Sequence, residues 1–482
     1  MDQNNSAENP TSALSPEMRM AEENYLQKKR VRNRIIGLSV GLLLVIVGSV
    51  GPIAGTAKNE IPEPGLQELF NTVLYHVKND YVEEVPSQDL MFGAIKGMLG
   101  ALDDPHTRFM TPEEFNELQV ETRGNFGGLG IEISMRDNIL TVVTPIDDTP
   151  AMRVGLKPGD KIVEINKKST RDLSLPDAVK QLRGAPGSSV NVSILREGED
   201  EILYFDIVRE IIRIQVVTST YLNNNKIGYV RLKQFSQTSP QEMAKVLQEF
   251  VDKKVTGIIL DMRWNPGGLL DAAHRISNFF VKEGVIVSTR GRKPELDRVF
   301  NANPRNLIVP GNIKVIILAN EGSASASEIV TGALKDHKRA KFIGIKTFGK
   351  GSVQNVIPLN YQTAIALTIQ KYYTPSNVSI HKKGIEPDIE VKPPEFTKDD
   401  RRYYKNIREK KLIQNFVKAD TKYTPATIES FKKLVEENGY PLSTFALKRT
   451  LKEEIDRNET RPIVDLEFDN QLQRAIEELK KG

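Results

Sequence analysis

The sequence predicts a layered α/β domain preceded by a small β-rich module, with an apolar anchor near the N-terminus and charged helical segments at both ends of the folded part. Three observations carry this expectation. Strand-like apolar runs alternate with helical ones from Lys226 to Val391, the pattern of a sheet layered with helices. Short alternating strands broken by Gly, Pro and Asp run from Arg123 to about Arg209, as in a compact β module. The stretch from Ile35 to Gly55 contains no charged residue.

At 482 residues the chain exceeds what one hydrophobic core serves, so several domains are expected. Its 67 basic and 63 acidic side chains leave a net charge of +4, which gives no basis for a nucleic-acid partner. The absence of cysteine removes disulfides and thiol chemistry.

Residues 1–34 form a polar tail ending in Lys28, Lys29, Arg30, Arg32 and Arg34. The 21 residues 35–55 that follow match the ~30 Å hydrocarbon core of a bilayer at ~1.5 Å per residue. Basic residues on the amino side predict a cytoplasmic N-terminus and a single-pass membrane anchor, with everything after it periplasmic or extracellular. Gly55-Thr56-Ala57 also permits a cleaved signal peptide, and either reading exports the folded part. Residues 60–119 are expected to be helical: Leu66, Leu69, Phe70, Val73, Leu74 and Val77 recur at helical spacing, and Thr111-Pro112-Glu113-Glu114 opens a further helix. The β-rich module takes residues 120–210 and the α/β core 211–392. Residues 393–482, heavily charged with amphipathic pieces, read as a solvated helical appendage or a dimer arm.

Within the core, Gly322 to Asp336 reads GSASASEIVTGALKD, directly after the apolar run Val315–Ala319. Ser325-Ala326-Ser327-Glu328 is a helix capping box, which is sufficient as structure. The same strand-to-helix turn also exposes a serine oxygen beside free N–H groups and the positive end of a helix, which suits a nucleophile and its oxyanion. A serine nucleophile needs a base. His337 lies 12 residues on (337 minus 325), ~18 Å along a helix, and is out of reach. His76, His106, His274 and His381 are scattered. Lys350, between Gly349 and Gly351, is the alternative, provided burial lowers its proton affinity from the usual ~10.4 by ~3 units. Gly344 to Lys350 mimics the start of a phosphate loop, but Gly351 stands where a magnesium-binding Ser or Thr is required. A second strand-to-helix turn, Met262 to Gly268, ends in Asn-Pro-Gly-Gly and can offer an unobstructed backbone N–H.

Several ordered motifs together resemble the carboxyl-terminal processing peptidases, tail-specific serine proteases with a Ser-Lys dyad. They are Leu102–Met110 (LDDPHTRFM), Gly127–Ile131 (GGLGI), Asp261–Gly268 (DMRWNPGG), Asn320–Glu328 (NEGSASASE), Thr347–Gln354 (TFGKGSVQ), Tyr373-Thr374-Pro375 and Gly384–Asp388 (GIEPD). The resemblance implies a crotonase/ClpP-like layered protease core with an inserted PDZ domain. It implies Ser325 as nucleophile, Lys350 as general base and Gln354 as the residue orienting that lysine. It places the oxyanion hole at Ala326 and at Gly267 or Gly268, and needs neither metal nor organic cofactor. Trp264, where a smaller or polar residue is usual, changes no proposed catalytic atom and is expected to alter the substrate groove. Phe126, Gly127, Gly128, Leu129, Gly130 and Ile131 correspond to the PDZ carboxylate-binding loop, where consecutive N–H groups hold the end of a chain that adds as a strand. Pro150 to Ile165 matches the rest of the PDZ signature. The expected partners are proteins with exposed C-terminal tails, the membrane, and a second copy or a regulatory protein. Two rivals predict different behaviour: a PDZ scaffold with a degenerate, non-catalytic protease domain, and a crotonase-type acyl-CoA enzyme, which the exported location disfavours.

Overall fold

The computed structural model describes residues 61–481 apart from 419 and 459–461. The polar tail, the apolar run 35–55 and the cleavage motif lie outside the described residues. Among the described residues no helix is long and apolar enough to cross a membrane. The chain divides into two units, Met1–Ser87 and Gln88–Gly482.

In the first unit, helix Glu63–Asp80 starts with Glu63 and ends near Lys78, both favourably placed for the helix dipole. Its stripe of Leu66, Leu69, Phe70 and Val73 is exposed within the chain.

The second unit opens one residue inside helix Ser87–Gly100, which strand Arg108–Met110 and helix Pro112–Arg123 follow. The last begins at a complete capping box: the Thr111 hydroxyl accepts from the Glu114 N–H, and the Glu114 carboxylate accepts from the Thr111 N–H at 2.8 Å. The β-rich module follows. Strands Ile131–Arg136, Ile139–Pro145, Lys161–Ile165, Ser189–Leu195 and Leu203–Val208 pair antiparallel in that order. They enclose Leu140, Val142, Ile162, Ile165, Val192 and Ile194 with helix Leu175–Leu182. A separate ribbon, Asn125–Gly128 against Glu210–Arg213, connects both ends of the module to the chain.

The α/β core is built on a six-stranded sheet in the order Val217–Leu222, Ile227–Leu232, Gly257–Asp261, Lys314–Ala319, Lys341–Gly344, Ile389–Glu390, with only the first pair antiparallel. Its central strands are continuous apolar runs because both faces are covered. Val230, Leu232, Ile258, Leu260 and Ile317 point to one side, the core containing helices Ser239–Asp252, Leu270–Asn278 and Ala326–Asp336. Tyr229, Ile259, Ile316 and Leu318 point to the other, where helix Asn470–Lys480 packs with Leu472 and Ala475. Burying each such side chain is worth about 1.5–3 kcal/mol. A second sheet of five strands runs Arg108–Met110, Ala364–Tyr373, Val285–Gly291, Arg298–Asn301, with Ser352–Pro358 also paired to Ala364–Tyr373.

The C-terminal region departs from a solvated appendage. Its helices bury Ile407, Ile413, Phe431, Val435, Leu447 and Leu451 in a core of their own, and its last helix closes one face of the main sheet. High charge on the outer faces hid that apolar stripe, since amphipathic helices need only one buried side.

Candidate active site

Two parallel strands, Gly257–Asp261 and Lys314–Ala319, end side by side, and the turns leaving them are laced together. The Met262 N–H donates to the Leu318 carbonyl (2.8 Å), the Ala324 N–H to the Asn265 carbonyl (3.0 Å) and the Trp264 N–H to Asn320 Oδ1 (2.9 Å). Ser323 Oγ donates to the Met262 carbonyl (2.8 Å) and Ser327 Oγ to the Asn265 carbonyl (2.9 Å), while Asn265 Nδ2 reaches the Leu232 carbonyl (2.8 Å). The two outer serines of the Ser-Ala-Ser-Ala-Ser run are therefore stitches. The middle one, Ser325, caps helix Ala326–Asp336 with φ 54° and ψ −111°, a conformation that costs an L-residue about 1–3 kcal/mol and persists only where the surroundings impose it. The buried Tyr372 hydroxyl lies beside the Ser325 side chain; burial pushes that phenol up to about 12.

Behind this turn, Asp261 is fully buried. It accepts from the Tyr229 hydroxyl (2.7 Å) and from Arg263, whose guanidinium also binds Asp469 ahead of the last helix (2.6 Å). Although burial opposes it, the two carboxylates hold Arg263 charged well above its usual range.

Glu328, the third residue of the serine helix, is where the Lys350 loop meets the Ser325 turn. Its carboxylate accepts from the backbone N–H groups of Ser325 (2.9 Å) and Lys350 (2.8 Å) through Oε2, and from the Gly349 N–H (2.7 Å) and the Thr347 hydroxyl (2.6 Å) through Oε1. Burial raises the Glu328 carboxyl above its ordinary range, against those donors. The Lys350 amine is pulled down, first by burial and then by Arg108, with Asp104 and Glu328 acting in opposition. Among the described residues no hydrogen bond joins the Ser325 hydroxyl to the Lys350 amine; such bonds commonly tighten only in the substrate complex.

Gln354 donates to the hydroxyls of Ser352 (2.9 Å) and Thr368 (3.1 Å) rather than to Lys350. Thr368 leads onward: its N–H donates to Thr107 Oγ1 (3.1 Å), and that hydroxyl donates to Asp104 (2.7 Å). Two of the scattered histidines converge here. His106 is held toward its neutral form by burial and by the nearby Lys350 charge. His381 packs against Gly351, where an added Cβ would stand 2.2 Å from the His381 backbone nitrogen. Periodicity carries no trace of this convergence, because Asp104, Lys350, Thr368 and His381 come from four separate segments. By contrast, His337 donates through Nε2–H to the Val285 carbonyl oxygen (2.7 Å), far along the helix from its cap.

The glycine pair differs in its donors. The Gly267 N–H is spent on Asn265 Oδ1 (2.9 Å), whereas among the described residues the N–H groups of Gly268 and Ala326 have no acceptor. Gly267 instead supplies room: at φ 102° its Cβ would sit 2.8 Å from Ser325 Cβ and 2.6 Å from the Ala324 carbonyl oxygen.

The profile of peptidase family S41 matches residues 226–391. A carboxy-terminal-processing protease of Bartonella bacilliformis is 44% identical over 329 residues, 67% of this chain and 75% of that protein. The chain belongs to peptidase family S41. It is accordingly a serine-type peptidase acting on protein substrates. The carboxy-terminal processing protease CtpB of Bacillus subtilis is 36% identical over 360 residues, 74% of either chain. CtpA of the same organism is 30% identical across 86% of this chain and 90% of its own. A PDZ profile matches residues 127–206, and that of the N-terminal domain of the activating protease CtpB matches 57–114.

In this S41 peptidase the PDZ groove is a small cleft of about 70 Å³ between strand Ile131–Arg136 and helix Leu175–Leu182. Phe126, Gly128, Leu129, Gly130 and Ile131 line it; Gly127 does not, and instead its carbonyl accepts from the Gly184 N–H (3.0 Å). The carbonyls of Leu129 and Gly130 are taken by Ala151 and Ile146, while among the described residues their N–H groups have no acceptor. Arg183, which sequence reading passed over, stacks 4.3 Å above the Phe126 ring at the same cleft. Arginine just past a helix end is too common to be noticed in a sequence.

Proposed function

We propose that this S41 peptidase is a membrane-anchored endopeptidase that cuts exported proteins near their C-termini, with Ser325 as nucleophile, Lys350 as general base and the PDZ module capturing the tail. The observation that carries the reading is the meeting of a strained Ser325 turn with a half-buried Lys350 whose proton affinity is lowered. A tail carboxylate docks at the open Leu129 and Gly130 N–H groups, with the Arg183 cation nearby, and the chain is led to the core.

The neutral Lys350 amine takes the Ser325 proton as Oγ attacks the scissile carbonyl. The Ala326 and Gly268 N–H groups receive the oxyanion, and we choose Gly268 over Gly267 because the latter's N–H is already occupied. Each such donor is worth about 2.7–4 kcal/mol of barrier. The Lys350 ammonium then protonates the leaving amine, and water, deprotonated by the same lysine, releases the acyl-enzyme. Gln354 acts on this lysine through the framework of Ser352 and Thr368. The run 35–55 anchors the chain with its N-terminus in the cytoplasm, and the exposed stripe of helix Glu63–Asp80 accepts a second copy or a regulatory protein.

Ser325→Ala and Lys350→Ala should each abolish release of tail fragments, followed by mass spectrometry of substrate C-termini; activity surviving either change overturns the dyad. Full-length chain should stay with membranes through alkaline extraction and be cleaved by added protease only from the outer side; release into the soluble fraction overturns the anchor.

A further inference from the structure

Glu328 takes no part in the chemistry above, yet it is fully buried beside it. As a helix cap it needs only its bond to the Ser325 N–H. Its other three donors, Thr347, Gly349 and Lys350, come from a loop 19, 21 and 22 residues further along the chain. We propose that Glu328 is a positioning residue that fixes the Lys350 loop against the Ser325 turn, so that base and nucleophile keep one spacing through the reaction.

The inference rests on the Ser325–Lys350 dyad proposed above. Glycines on both sides leave the Lys350 loop few side-chain restraints, and Gly349 sits at φ 94°. Glu328 holds that backbone to the serine helix through three bonds, beside a single backbone bond from the Phe348 N–H to the Ser323 carbonyl (3.1 Å), and its Oε2 holds the two proposed catalytic residues' own N–H groups together. A displacement of 1 Å between reacting groups can cost about 100-fold in rate. Only a carboxylate satisfies the arrangement: each oxygen meets two donors, three of them backbone N–H groups that cannot turn into acceptors. The Glu328 charge also faces Lys350 and favours its protonated form, as Asp104 does. Burial and Arg108 act the other way. His106 stands on the same segment as Asp104 and Arg108, and His381, with Lys371 and Lys382 around it, packs at Gly351.

Glu328→Gln in the full chain should lower kcat about 100-fold with KM within about threefold. Because a negative charge is lost, the acid limb of kcat/KM should move to lower pH. Thr347→Val, which leaves the carboxylate in place and removes one of its donors together with the acceptor of the Ile385 N–H (2.7 Å), should lower kcat about 5–10-fold, and Thr347→Ser should restore it. Near-normal kcat and an acid limb that is unmoved or raised in Glu328→Gln would overturn the inference, as would a Thr347→Val enzyme of unchanged kcat. Ser325→Ala and Lys350→Ala separate the two readings. If both are inactive while Glu328→Gln behaves as wild type, only the positioning role fails; if either is active, the dyad itself fails.

Discussion

The serine side of the proposed active site is assembled from two neighbouring strand ends, whereas the lysine side is assembled from segments that are far apart in the chain. Ser325 sits between two serines whose hydroxyls bond the adjacent turn, so its position follows from one short stretch and the strand it leaves. Lys350 makes no comparable side-chain bond among the described residues; the charges that act on it come from Asp104, Arg108 and Glu328, and His381 packs on the next residue, Gly351. A nucleophile needs a fixed direction, which local hydrogen bonds supply. A lysine base needs a low-dielectric enclosure, which only long-range packing supplies.

The sharpest way to break the comparison is Lys350→Met. Activity should vanish while stability rises by about 1 kcal/mol, because a buried amine no longer has to be desolvated; denaturant unfolding measures it. The sign is explicit. The folded lysine's proton affinity lies below its unfolded value near 10.5, so between the two the unfolded chain binds more protons and stability climbs with pH. The methionine variant should lose that climb. In the wild type, kcat/KM should fall as pH drops through the lowered Lys350 pKa, since protonation removes the base.

Gly267→Ala attacks the serine side. Its Cβ would collide with the Ala324 oxygen at 2.6 Å and with Ser325 Cβ at 2.8 Å, and the expected loss in kcat is about 100-fold or more. Arg263→Ala tests the support behind the same turn: it leaves the buried Asp261 without its cation and should cost about 3–5 kcal/mol in thermal or denaturant unfolding. Gln354→Ala should be mildest, about tenfold in kcat at constant KM, since its partners are two hydroxyls of the framework rather than the reacting atoms.

The same contrast explains what was legible in the sequence. The alternation of apolar runs and amphipathic helices carried the layered core, because strands buried on both faces are unbroken runs of Val, Ile and Leu. Thr111-Pro112 and Ser325 to Glu328 marked their helix starts correctly, because capping is local chemistry. Glu328 itself was visible only as a cap: three of its four bonds join it to residues that spacing cannot connect. His106 and His381 were set aside for the same reason, lying 275 positions apart (381 minus 106) yet converging on the Lys350 loop, His106 near the lysine charge and His381 against Gly351. The strand Ser352–Pro358, which was not among the expected elements, pairs with Ala364–Tyr373 at an edge where a proline such as Pro358 is tolerated.

Trp264, next to the Asn-Pro-Gly-Gly turn, is the chain's sole tryptophan, 63% exposed at φ 61°, with its indole against Gly322. Its emission spectrum therefore reports on one place alone. A blue shift when a tail peptide is mixed with the Ser325→Ala protein would follow the filling of the catalytic cleft in real time, without a label and without turnover.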